Sequence, residues 1–230
     1  AIKKAWEEQG GNAKLFSNLI LRTAPIYRWL REAIQKGEFG ELFAADGDYL
    51  YGRLHKIIDG WRGQRKDYSP MLGGGIHLID LLLWFTEERP HSLFASGNNI
   101  ATKSYDLGVE DFVVSTIEFD SGLIARVSSN LACVHTHQHV LRLFGTDKTF
   151  ILDDCGSRIH ETRKPDSEPR FLDLPSLPGS KGDLIPDFVN ALVTDQDTDH
   201  LTREVFDAMC VGLAVDESLK SGSKVEIEYI

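Results

Sequence analysis

Residues 112–131 read Phe-Val-Val-Ser-Thr-Ile-Glu-Phe-Asp-Ser-Gly-Leu-Ile-Ala-Arg-Val-Ser-Ser-Asn-Leu. Two runs rich in β-branched and aromatic residues, Phe112 to Phe119 and Leu123 to Leu131, flank the turn signal Asp120-Ser121-Gly122. Such runs fit a pleated surface, and a glycine at the reversal takes the positive φ that a tight turn needs, so the stretch reads as an antiparallel hairpin. The same grammar continues outward. Val134 to Phe144 and Thr149 to Leu152 are further strand segments, separated by Gly145-Thr146-Asp147, and no convincing helical period occurs from Ser92 to Leu174. The region is expected to be an antiparallel meander.

On the N-terminal side, Pro25 opens an amphipathic helix in which Ile26, Leu30 and Ile34 recur every four residues before Gly37 closes it. Leu42 to Tyr51 reads as a strand, and Gly52 to Pro70 as a polar loop long enough to suggest function. Gly73-Gly74-Gly75 then precedes a short, nearly all-apolar helix, Ile76 to Phe85, interrupted by His77 and Asp80. On the C-terminal side come two helices, Asp183 to Val193 with Pro186 in its first turn and Thr202 to Lys220 stopped by Gly222. A strand with one wet face, Ser223 to Tyr229, follows. The expected fold class is α+β, an open and mainly antiparallel sheet with helices packed on one face. The opening helix, Ala1 to Gln9, stops at Gly10-Gly11 and leads to Leu15 to Leu21, the pattern of a strand buried on both faces. Such a strand needs parallel neighbours that nothing upstream supplies, so this start reads as the last helix and strand of a larger domain.

Composition narrows the function. With 42% hydrophobic and 26% charged residues the 230-residue chain is ordinary globular protein. The apolar run near Leu81 to Phe85 is far too short for a membrane helix. Against 25 basic residues stand 35 acidic ones, a net charge of −10 with no basic stripe, which disfavours nucleic acid as a partner. Cys133, Cys155 and Cys210 form no CxxC pair, and no secretory signal precedes them, so free thiols in the cytoplasm are expected.

Three clusters bear chemistry. His77 and Asp80, at i and i+3 behind three glycines, suit a general acid or base at a site that backbone can approach closely, or a core histidine held by a carboxylate. Cys133, His135, His137 and His139 alternate along one expected strand. Same-face neighbours there lie roughly 7 Å apart, too far for one ion without ligands from elsewhere, so no metal site is assigned. Trp61, Arg62, Arg65, Lys66 and Tyr68 combine donors with flat rings, either to bind a hydroxylated or carboxylated small molecule or as an exposed basic loop. No GxGxxG, Walker A, GxSxG, HExxH or paired CxxC motif occurs.

Gly37-Glu38-Phe39-Gly40-Glu41-Leu42, Gly73-Gly74-Gly75-Ile76-His77-Leu78-Ile79-Asp80, Glu110-Asp111, Phe119-Asp120-Ser121-Gly122, Leu143-Phe144-Gly145-Thr146-Asp147-Lys148 and Lys220-Ser221-Gly222-Ser223-Lys224-Val225 together resemble, in kind and order, the Gfo/Idh/MocA family of NAD(P)-dependent oxidoreductases. The resemblance implies that residues 1–22 are a remnant of a Rossmann-type dinucleotide-binding domain and residues 23–230 a substrate-binding and oligomerisation domain. It places the family's catalytic histidine on His77, with Asp80 orienting it, and Gly73 where the family carries an aspartate. Arg22, at the end of the remnant strand, joins Trp61, Arg62 and Asp80 as candidate substrate-binding residues. NAD or NADP is expected for a complete enzyme acting on a sugar, polyol or similar hydroxylated compound. Because the glycine-rich turn and the Glu-Lys-Pro motif are absent, this chain alone is expected to bind neither cofactor tightly. A homo-oligomer through the sheet, with faces such as Val134 to Val140 in the contact, is the expected assembly. The alternative is a non-enzymatic binding or assembly module derived from the same family.

Overall fold

Along Leu42–Leu50 (β1), Ala45, Gly47 and Tyr49 alternate with Ala44, Asp46 and Asp48, so the strand presents one apolar and one acidic face. In the computed structural model, which describes residues 2–11, 13–105 and 107–230, this strand lies at the centre of a nine-stranded sheet. The others are Pro90–Asn98 (β2), Phe112–Phe119 (β3), Ile124–Asn130 (β4), Gln138–Gly145 (β5), Thr149–Asp153 (β6), Gly156–His160 (β7), Arg170–Leu172 (β8) and Val225–Glu226 (β9). Their spatial order is β8-β7-β6-β5-β1-β4-β3-β2-β9. Every neighbouring pair is antiparallel except β1 with β4, because β1 is inserted into the meander between β4 and β5. The α+β class and the mainly antiparallel open sheet are as the sequence led us to expect.

Helices cover one face. They are Ile2–Glu8 (α1), Pro25–Gln35 (α2), Leu54–Ile58 (α3), Ile76–Thr86 (α4), Ile185–Val193 (α5) and Asp199–Ser221 (α6). Tyr27 and Leu30 of α2, Leu78 and Ile79 of α4, and Val211 and Val215 of α6 are fully buried, as are Leu93, Val113, Ile117, Val127, Leu141 and Leu143 from the strands. Burying each such aliphatic side chain stabilises the fold by about 1.5–3 kcal/mol, and this layer is what fixes α4 upon β1. The approach there is close, since a Cβ on Gly47 would fall 3.3 Å from the Leu78 side chain. On the opposite face Arg126 donates to Asp46 at 2.9 Å and to Asp48 at 2.8 Å, and the Ser128 hydroxyl donates to Asp48 at 2.7 Å. Phe94 and Ile124 of this uncovered face are about half exposed.

Four local expectations are corrected. Leu15 to Leu21 is not a strand. The Leu15 N–H donates to the Thr202 hydroxyl, Phe16 stacks on Phe188 at 4.7 Å, and the segment ends in a 3₁₀ turn at Ile20–Thr23. Helix α5 receives Phe16, and the turn at Ile20–Thr23 packs on α2 and α4, not on strands. The preceding helix begins at Ile2 in the described residues, and Ala1, where it was expected to start, lies outside them. The triple glycine does not precede the helix but forms a π-helical turn, Met71–Gly75, that runs straight into α4. Its amides are therefore hydrogen-bonded internally: Gly73 N–H donates to the Ser69 carbonyl and Ile76 N–H to that of Met71. The strand expected from Val134 begins only at Gln138. Gly52 has a φ of 55° and receives the His135 carbonyl so closely that a Cβ would overlap it, which holds the residues before β5 as a loop. Finally, only Val225–Glu226 of the C-terminal strand pairs with β2. Among the described residues no helix is long and apolar enough to cross a membrane.

Candidate functional site

The π-turn and the end of β1 together build a wall of rings. A Cβ on Gly74 would lie 2.2 Å from the Tyr49 ring, and one on Gly73 would lie 1.9 Å from the Tyr68 hydroxyl, so the two glycines admit two tyrosines beside α4. Tyr49 stacks with Tyr51 at 5.9 Å, and His137 meets both edge-on at 5.2 and 5.5 Å. His139 completes the wall, with its ring 5.3 Å from Tyr49, 5.0 Å from His137 and 5.8 Å from His77. Arg62 caps the other end, its guanidinium 5.9 Å from Tyr51, 5.0 Å from Trp61 and 6.0 Å from Tyr68, and Arg53 lies 5.8 Å over Tyr51.

Burial sets the charge state of this wall. It pushes His77 down to about 4 and His139 down to about 3, with the neighbouring imidazoles acting in the same direction. His137 is also lowered by burial, although its Nδ1–H donates to the Leu50 carbonyl at 3.0 Å. All three imidazoles are neutral at pH 7, and burial raises the Tyr49 and Tyr68 phenols, so these rings stay uncharged. The permanent charges beside them are Arg53 and Arg62. Two polar atoms of the wall, His77 Nδ1 and His139 Nε2, are buried without a hydrogen-bond partner. A neutral imidazole keeps one unprotonated ring nitrogen, the nitrogen that can accept a proton.

Of the residues picked from the sequence, the structure brings His77, Trp61 and Arg62 into one neighbourhood and turns Arg22 and Asp80 away from it. Arg22 grips both Asp80 oxygens, at 2.9 and 2.6 Å, and its third nitrogen reaches Glu204 at 2.5 Å. Asp80 is 2% exposed, and burial raises its carboxyl to about 6 against the pull of Arg22. Both carboxyl oxygens being taken by Arg22, Asp80 joins two helical segments instead of orienting His77. Arg65 pairs with Asp67. A cavity of about 580 Å³ beside Arg22, Trp84, Glu204 and Asp207 does not include His77 in its lining. The histidine ladder disperses: His135 turns to Asp154 at 3.0 Å, while His137 and His139 join the ring wall on the helix side of the sheet. Among the described residues no group of three His, Cys, Asp or Glu side chains is arranged to hold a metal ion. Tyr49, Tyr51, Arg53 and the convergence of His77 with His137 and His139 were not legible in the sequence, since His77 lies at least 60 residues before His137 and His139 in the chain.

The residues present do not fit a dinucleotide. The amides of Leu72 and Gly73 are bonded to Ser69, and among the described residues the single parallel pair of the sheet, β1 with β4, provides no glycine cradle at a helix start. No residue here is assigned to that cofactor.

Comparison with known proteins agrees with the fold. The GFO/IDH/MocA C-terminal domain family matches residues 27–151. The uncharacterized oxidoreductase YrbE of Bacillus subtilis (strain 168) is 25% identical over 173 residues, 71% of this chain and 51% of that protein. The 1,5-anhydro-D-fructose reductase of Ensifer adhaerens is 31% identical over 118 residues, 49% of this chain and 33% of that protein. The chain thus matches about half of the length of the first of these curated relatives and a third of the second. The structure of scyllo-inositol dehydrogenase from Lactobacillus casei, with bound NAD(H) and scyllo-inositol, superposes with a TM-score of 0.71 at 16% identity. That superposition covers 95% of this chain and 66% of the other.

Proposed function

We propose, since this chain belongs to the GFO/IDH/MocA family through its C-terminal domain, that it is the substrate-binding half of an oxidoreductase acting on a sugar, polyol or similar hydroxylated compound. NAD or NADP would be held by a dinucleotide-binding domain, to which residues 1–22 connect. The observation that carries this reading is His77, with a buried, unpartnered Nδ1 in a wall of neutral rings capped by guanidiniums. In this reading the neutral His77 imidazole takes the proton of the reacting hydroxyl, or returns it in the reverse direction. Tyr68 holds its hydroxyl over Gly73, in the space a side chain at that position would fill, and supplies a second hydroxyl beside the substrate. The ring wall excludes water and packs against the apolar face of the compound.

The experiment is an assay of the protein that joins this chain to its dinucleotide-binding domain, with cyclitols, hexitols and aldoses, both nicotinamide cofactors and both directions. Turnover of at least one hydroxylated compound is expected. Silence across the panel would replace this reading with a non-enzymatic binding or assembly module.

The uncovered sheet face enters the same proposal. Phe94 and Ile124 share the sheet face that carries the Arg126 and Asp48 ion pairs, a mixed patch suited to a second copy of itself. Sedimentation is expected to show an oligomer at micromolar concentration, and Ile124→Asp to shift it towards monomer. A monomeric wild type rejects the contact.

A further inference from the structure

Arg28, Arg163 and Arg203, like Arg53 and Arg62, lack a carboxylate partner among the described residues, but Arg53 and Arg62 alone combine that lack with a place over aromatic rings. Arg22, Arg31, Arg65 and Arg126 each grip a carboxylate. Among the described residues, Arg53 and Arg62 have no carboxylate within 4 Å, although the chain carries 35 acidic residues. Arg62 is nevertheless held in place, half-buried against Tyr51, Trp61 and Tyr68. Through Tyr51 it adjoins the rings of Tyr49 and His137, and through Tyr68 it adjoins Gly73, so it meets the His77 wall from two sides. The charge is felt there: Arg62 and Arg53 both act on the Tyr49 phenol, and Arg53 acts on His137. A planar cation fixed by aromatic rings and lacking an internal counter-ion is built to take an anion from outside.

We infer, resting on the reading of this wall as the substrate site, that the compound bound is a hydroxy acid of the sugar-acid class, its carboxylate docked on Arg62 with Arg53 beside it and its reacting hydroxyl at His77. A carboxylate fits better than a phosphate ester. Phosphate sites usually add backbone amides at a helix start or turn, and the amides of the neighbouring π-turn are already bonded to Ser69 and Met71. The neutral wall suits the rest of such a molecule, since it offers rings and hydroxyls.

The test uses this whole chain and three probes: D-gluconate, its neutral counterpart sorbitol, and glucose 6-phosphate. Binding is read from the NMR signals of the arginine Nε–H groups and the histidine rings. Gluconate is expected to shift both Arg62 and His77 saturably, with an affinity about tenfold above that of sorbitol. Arg62→Gln should bring gluconate down to the sorbitol level, whereas Arg203→Gln on α6 should leave the preference intact. Equal shifts at His77 by sorbitol and gluconate overturn the acid class but keep the wall as a sugar site. Tighter binding of glucose 6-phosphate, or an unchanged preference in Arg62→Gln, overturns the carboxylate assignment. If no probe moves His77, the inference and the site reading beneath it fall together.

Discussion

His77→Ala, in the protein that includes the dinucleotide-binding domain, is expected to lower kcat by about two to four orders of magnitude, the range for loss of a general base. The effect should sit in kcat, with KM changed little, because the missing group acts on the reacting proton more than on binding. The structure alters the pH behaviour expected from the sequence. A histidine near its ordinary pKa would place the acid limb of the profile close to neutrality, but burial among His137 and His139 pushes His77 to about 4. The wild-type limb should therefore fall well below pH 6, and His77→Gln should abolish it. A loss under about threefold would demote His77 to packing. A limb that persists in His77→Gln would move the proton to another group, with the Tyr68 hydroxyl over Gly73 the first to examine.

Acid should destabilise the fold through the same histidines. Each unfolds to an ordinary imidazole of pKa about 6.5, whereas the folded protein keeps His77 near 4 and His139 near 3. Below pH 6.5 the unfolded chain binds protons that the folded chain refuses, so stability is whole above that pH and falls as pH drops towards 4. The slope for each histidine is about 1.4 kcal/mol per pH unit across this window, an order-of-magnitude figure. Asp80 opposes it, because its raised carboxyl makes the folded state the better proton binder between its unfolded value and about 6. The difference between two proteins isolates the histidine. Urea midpoints at pH 7, 5.5 and 4.5 should fall less steeply for His139→Gln than for wild type, by about 1.4 kcal/mol per pH unit. Parallel pH dependences would mean that His139 ionises as readily in the fold as out of it.

Much of the fold was legible because its signals are local. Pro25 and Gly37 bound α2, Gly222 with φ of 65° ends α6, and Asp120-Ser121-Gly122 turns β3 into β4. Each is a statement about a few neighbouring backbone angles, which residue type largely sets. Leu15 to Leu21 misled for the complementary reason. An apolar run states that something covers it and leaves open whether strands or helices do so. The Asp80 expectation failed similarly, because i, i+3 spacing puts two side chains on one helix face but does not say which of them an arginine 58 residues away will claim.

The sequence by itself determined the class of the fold, the turns and caps and the acidic balance, all set by short-range geometry or by counting, and it offered His77 as a candidate. Tertiary structure decided the site. Inserting β1 between β4 and β5 brought Tyr49 beside His139 and Tyr51 beside His137, and the π-turn let glycine backbone yield space to Tyr49 and Tyr68. It also sent Arg22 to Asp80 and left Arg62 among rings without a carboxylate. These pairings join residues far apart in the chain, and their energies depend on burial and distance, quantities that no local pattern of residue types contains.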